Sequence, residues 1–390
     1  MARTPASVAR DHVVGPDLSA TNRIVIASFA ITAPVQDPRK APMSTRPTGR
    51  TGVPASPSCP GSTATIPLSA LDLVIAESNR TAAETLEATG RTVLRLDELG
   101  YRRVWFAEHH GTELSASVVP AVLMAHFAAL TRRIRLGSGG VLAPNHAPLA
   151  VAEQFATLAT LHPGRIDMGI GRGPGTFDQS IVRALRRGGE PATGAEYAED
   201  VAEILRYLSG EGGVQLLAGW QPDAEGTSPW LLASSPASAE LAARLGLPIA
   251  LAHHIRPDQS AATAERYREL FTPSRWADQP YVMAAVETVV ADTDEEAARL
   301  ARPTDVARAK QVPAALLSPE EAALYEIPDE VRGTVEAIGA AQARGSVETV
   351  RGRFTEIAQQ TSADELMIYA SVYDPDARIR CYELAAKAAE

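Results

Sequence analysis

Glu108-His109-His110 sets a carboxylate beside two imidazoles, the groups proteins use for proton transfer and for metal ligation. The triplet follows the apolar string Arg103-Val104-Trp105-Phe106-Ala107, so it reads as the end of a strand. Adjacent side chains on a strand point opposite ways, so only one histidine can face the space beyond the strand. A general acid/base pair, a metal site and a hydrogen-bonded corner all fit the triplet taken alone. His126, His146, His162, His253 and His254 supply no His-x-His or His-Glu-x-x-His spacing, so the metal reading lacks its further ligands.

Three other short stretches carry chemistry. Ser138-Gly139-Gly140 closes an apolar run, and residues without side chains let a planar ligand approach the backbone or permit an unusual peptide geometry. Arg172 stands between Gly171 and Gly173, a cation that suits a phosphate or carboxylate. Ser234-Ser235-Pro236-Ala237-Ser238 opens a helix, where hydroxyls and free N–H groups make an anion site or simply cap the helix. Arg172 with Ser235 and Ser238 together describe a phosphate socket. His253-His254 ends a further apolar run and could line a pocket or cap a strand.

A strand–helix rhythm is needed to bring these stretches together. Strands are predicted at 70–76, 103–107, 134–138, 165–170, 230–233, 248–252, 281–290 and 364–369, with helical spacing between them. Thr81-Ala82-Ala83-Glu84 has the capping-box spacing and Gly100 stops the helix that follows. Eight such units in about 320 residues point to an α/β fold of the (β/α)₈ TIM-barrel type, whose chemistry sits at the C-terminal strand ends. A doubly wound dinucleotide fold wants G-x-G-x-x-G after its first strand, where this chain has Glu77-Ser78-Asn79-Arg80. The long stretches 172–228 and 292–363 read as insertions at the barrel mouth, the first as a candidate lid.

The strings Tyr101–His110, Ile134–Val141 and Pro163–Gly173, with Ala239–Pro248 and Ala363–Met367, resemble the bacterial-luciferase-like flavin monooxygenases. The resemblance runs from about Ile66 to the C-terminus. It implies a barrel that takes reduced FMN at its mouth from a separate flavin reductase. With O2 that flavin gives a C4a-(hydro)peroxide, which oxygenates a small organic substrate. By motif position it implies that His109 is the active-site histidine, able to move a proton near neutral pH, with Glu108 its acidic neighbour. Ser138, Gly139 and Gly140 fall at the flavin ring, with a non-proline cis peptide at Gly139-Gly140. Arg172, Ser235 and Ser238 fall at the phosphate, and a homodimer through barrel helices is implied too. The chain departs from many relatives at Ala233 and Ser234, where they carry glycine, and in Gly111-Thr112-Glu113-Leu114.

A sibling F420-dependent dehydrogenase is the first rival, and a flavin-binding barrel without turnover the second. Composition restricts the choice further. The chain has 390 residues, 45% hydrophobic, with a net charge of −10 that argues against nucleic acid. No run reaches the ~18 apolar residues of a membrane span, and two cysteines make no disulfide framework, so a cytoplasmic protein is expected. Residues 1–65 stand apart, with nine of the 28 prolines and seven basic against three acidic residues, which leaves −14 for the barrel over 66–390. They read as a disordered extension. Their one apolar patch, Ile24–Ala27, is short and late for a secretory signal, and Met43 offers an alternative start. A chain beginning near Ser62 is expected to fold and to bind flavin.

Overall fold

The computed structural model describes residues 65–187, 189–222, 226–310 and 314–390. Apart from Thr65, the expected extension over 1–65 lies outside the described residues. The chain runs β1 (Leu68–Asp72), α1 (Ala82–Leu99), β2 (Arg103–Phe106), α2 (Pro120–Leu130), β3 (Arg135–Leu142), α3 (Pro148–Leu161) and β4 (Ile166–Gly171). It continues through α4 (Gln179–Leu185), α5 (Gly194–Leu208), β5 (Ser228–Ala233), α6 (Pro236–Leu245), β6 (Ile249–Leu251), α7 (Pro257–Leu270) and β7 (Val282–Val290). Then come α8 (Asp294–Lys310), α9 (Pro319–Ala323), α10 (Asp329–Ala340), β8 (Ala343–Gly345), α11 (Val347–Thr361), β9 (Glu365–Tyr369) and α12 (Pro375–Ala388).

Eight parallel strands close in the order β6-β5-β4-β3-β2-β1-β9-β7, with β6 pairing back to β7. This is the expected (β/α)₈ barrel. The three-residue β8 hangs on the far end of β7, from Thr288↔Ala343 to Val290↔Gly345. The capping box forms as read: the Thr81 N–H donates to Glu84 Oε2 at 2.8 Å and the Glu84 N–H to Thr81 Oγ1 at 3.3 Å. Gly100 ends α1 at φ 80°.

The strands alternate between two cores. Leu71, Trp105, Trp230, Ala250, Met283, Ala285 and Met367 fill the barrel lumen, and their neighbours pack outward under the helices. A Cβ on Gly137 would fall 2.3 Å from the Trp105 ring, so the indole occupies the space that a side chain on β3 would need. Below Trp105 the lumen is closed by charge. Arg103 gives Nη1 to Asp167 at 2.8 Å, Nε and Nη2 to Glu365 at 2.9 and 3.2 Å, and lies 4.8 Å over the Trp230 ring. Asp167 also takes Arg135 Nη2 at 2.6 Å and Trp105 Nε1 at 3.1 Å, and Glu365 takes the Tyr281 hydroxyl at 2.8 Å. Burial alone would raise the Asp167 carboxyl, but Arg103 and Arg135 hold it below its usual range.

The two expected insertions divide differently from their expected spans. Within 172–228 lie α4 and α5, and α5 is the barrel helix after β4, tied to it by the Tyr197 hydroxyl on Ile170 O at 3.2 Å. In 292–363, α11 is the barrel helix, while α8, α9, α10 and β8 are extra. Cys381 on α12 is buried, accepting the Val290 N–H at 3.2 Å, and burial pushes its thiol up to about 12. Among the described residues no helix is long and apolar enough to cross a membrane.

Candidate active site

The turn after β2 is shaped by Glu108. Its carboxylate is buried, with Oε1 taking Nε2 of both His110 and His146 at 2.9 Å. Oε2 takes the Leu142 N–H at 3.0 Å. Burial raises this carboxyl, yet the bonds from His110, His146 and Leu142 outweigh it and lower the group to about 2. Glu108 is therefore an acceptor only, and each histidine donates its Nε2–H. The backbone is pinned as well: the His109 N–H donates to Ser117 O at 2.9 Å and the His110 N–H to Gly175 O at 2.8 Å.

Only one histidine of the pair serves Glu108, as alternation requires. His110 does so, while His109 sits partly buried beside it. Burial, with a smaller contribution from His110, pushes the His109 imidazole down to about 4. The near-neutral imidazole expected from sequence is thus replaced by one that is neutral at pH 7.

Beside this turn, β3 carries the glycine pair. The Gly139-Gly140 peptide is cis, and the β3–β4 register slips between Gly139 and Val141. A Cβ on Gly140 would fall 2.8 Å from Gly169 O and 3.0 Å from Gly171 N, so no other residue fits against β4. Ser138 is buried and its hydroxyl donates to Gly169 O at 2.8 Å, which leaves its main chain as the part that a ligand could meet.

The next two strands bring the anion-binding candidates to one rim. Ile170 of β4 pairs with Leu231 of β5, so Arg172 and Ser235 leave the barrel at neighbouring places. Arg172 is exposed, with Nη1 3.8 Å from where a Cβ on Gly194 would lie at the start of α5. At the start of α6 the Ser238 hydroxyl takes the Ser235 N–H at 3.3 Å and donates to Ser235 O at 2.8 Å. Capping and anion binding use the same groups here.

Across the mouth lies a set that the sequence did not single out. Glu287 shares the lumen parity of Met283 and Ala285, and Tyr369 that of Met367. Glu287 is buried and ion-paired to Arg308 of α8 and Arg344 of β8. Burial raises its carboxyl, but the two guanidiniums bring it to about 2. Of the two adjacent histidines, His253 turns outward to Ala341 O at 3.0 Å. His254 packs edge-on to Tyr369 with ring centroids 6.2 Å apart. His146 comes from the turn before α3, Glu287 from β7 and Arg308 from α8, and no local motif announces them. Among the described residues no group of three or more His, Cys, Asp or Glu side chains could hold a metal ion.

A model of the luciferase-like monooxygenases matches residues 71–365. The chain is 39% identical over 325 residues to the protein YvbT of Bacillus subtilis (strain 168), covering 82% of this chain and 95% of that one. It is 36% identical over 333 residues to a luciferase-like monooxygenase of Escherichia coli (strain K12), covering 82% and 96%. The crystal structure of apo-MsnO8 superposes with a TM-score of 0.77 at 32% identity, covering 83% of this chain and 98% of that one.

Proposed function

The chain belongs to the luciferase-like monooxygenase family, and we propose that it uses reduced FMN and O2 to oxygenate a small organic substrate. The observation that carries this reading is the side-chain-free edge at Gly139-Gly140, set between the His109 turn and the Arg172 rim. Such an edge accepts a flat ring, and the rim one strand further on accepts a phosphate, so the residues fit FMN.

Bound reduced flavin supplies the electrons that activate O2. The protein's part is to hold, orient and exclude water. In this reading Arg172, Ser235 and Ser238 hold the phosphate, while Gly139, Gly140 and the main chain of Ser138 meet the ring. Glu108 sets the direction of the β2 turn through His110 and His146, which leaves His109 to move a proton. α8, anchored through Arg308 on Glu287, limits water on the opposite side.

Arg172→Gln is expected to weaken FMN binding about 10- to 100-fold, the 1.5–3 kcal/mol of a hydrogen bond to a charged group. Flavin fluorescence titration reads it, and an unchanged affinity removes Arg172 from the site. The function itself is tested by supplying a reductase, NADH, FMN and ¹⁸O2 with a panel of ketones, aldehydes and sulfides. Label in an organic product supports the proposal. Binding of F420 with no binding of FMN overturns it in favour of a dehydrogenase.

A homodimer is part of the same proposal. α2 carries no charged residue and exposes Val119, Val122 and Leu130 by 46%, 64% and 51%. An apolar outer face on a barrel helix suits a second copy. Val122→Glu is expected to shift the mass in light scattering from dimer to monomer, and a monomeric wild type rejects the idea.

A further inference from the structure

Outward from Glu287, α8, α10 and β8 line a half-open cavity of about 230 Å³ on which three guanidiniums converge: Arg302, Arg332 and Arg344. Its floor is apolar, with Ile327 and Val335 buried. Each arginine is held by part of its fork. Arg302 donates Nε and Nη2 to the carbonyls of Ala322 and Tyr325, at 3.4 and 2.6 Å. Arg332 donates Nε to Asp329 at 3.1 Å and Nη2 to Asp329 and Ile327 O, both at 2.8 Å. Arg344 gives Nε to Glu287 at 2.8 Å and Nη1 to both oxygens of Asp305, at 2.9 and 3.1 Å. These bonds fix the planes of Arg302 and Arg332, and their Nη1 groups donate to no acceptor among the described residues.

The charges around the cavity are unevenly paired. Two carboxylates line it, Asp305 and Glu336. Asp305 is engaged by Arg344, and Glu336 is exposed to solvent. Arg344 is matched by Glu287 as well and Arg332 by Asp329, whereas Arg302 meets only carbonyls and has no carboxylate partner among the described residues. Positioned forks with spare donors match the paired oxygens of a carboxylate or phosphate. The volume falls below the ~300 Å³ of an ordinary ligand pocket, so the occupant is small.

We propose that this cavity binds a small oxyanion, a phosphate or a short carboxylate, at a site separate from the Arg172 rim. Calorimetric titration of the full chain with malonate, and in parallel with inorganic phosphate, at constant ionic strength tests it. Saturable malonate binding is expected in the wild type and in Arg172→Gln. Arg332→Gln is expected to weaken it at least ~10-fold and Glu336→Gln to tighten it ~3-fold, following the sign of each charge. Both positions are exposed, so neither change threatens the fold. Phosphate should follow malonate in Arg172→Gln if both sources share the site. The proposal fails if the wild type shows no saturation by ~20 mM malonate. It also fails if Arg332→Gln leaves binding unchanged, or if Arg172→Gln abolishes it.

Discussion

His109→Ala is expected to lower oxygen transfer by about 10²- to 10⁴-fold with reduced flavin supplied directly, the range for one positioned proton-transfer group. Flavin affinity should stay nearly constant, because the contacts proposed for phosphate and ring lie on β3, just after β4 and at the start of α6. The pH profile separates this role from a packing role. Burial holds the imidazole near 4, so it is neutral above that pH and charged below it. Activity that depends on neutral His109 is therefore retained from pH 5 upward and falls as the pH drops through about 4. An acidic limb near 6.5, or unchanged oxygenation in His109→Ala, would show that another group moves the proton.

The second large effect belongs to the closed end of the barrel. Arg103→Met removes the cation that joins Asp167 to Glu365, leaving two buried carboxyls with reduced compensation. Breaking a buried pair from one side costs about 3–5 kcal/mol, and urea denaturation measures it. The loss has a direction in pH. In the wild type Arg103 and Arg135 hold the Asp167 carboxyl below its usual range, and without Arg103 only Arg135 and Trp105 oppose its burial, so it rises. A depressed carboxyl contributes stability that is present above the unfolded pKa and lost as pH falls through the folded one. The deficit should accordingly be larger at about pH 6 than at about pH 3. An equal loss at both pH values would mean that packing on Trp230, rather than charge, is what Arg103 provides. Specific activity of the folded fraction should survive, since the proposed site lies at the other end of the strands.

These two sites differ in how far they could be read from residues alone. The strand ends, the capping box at Thr81 and the glycine pair were legible because each is signalled within a few residues. The first strand was misjudged at its end. The apolar run continues to Ala76, yet the Asp72 carboxylate takes the Val74 N–H at 2.7 Å and Val74 adopts φ 49°, so the strand stops at Asp72. The stretch 172–228 reads as an insertion, but it contains α5, the barrel helix after β4. β8 was invisible, for three residues carry no period. Residues that meet across 20 or more positions were equally hidden. Glu108 with His146, and Glu287 with Arg308 and Arg344, depend on barrel closure rather than on any local pattern. The shift at His109 follows from burial, which the bare triplet does not encode.

The position of Cys381 bears on how the enzyme ages. Under the proposed function the protein works beside reduced oxygen species, and these attack a thiolate rather than a thiol. With its thiol pushed up to about 12 and its sulfur enclosed between α12 and β7, Cys381 is almost wholly protonated at pH 7. The first step toward sulfenic acid is thereby suppressed at this residue. Within the barrel, oxidative inactivation should begin at the flavin site or at accessible side chains and leave Cys381 unmodified.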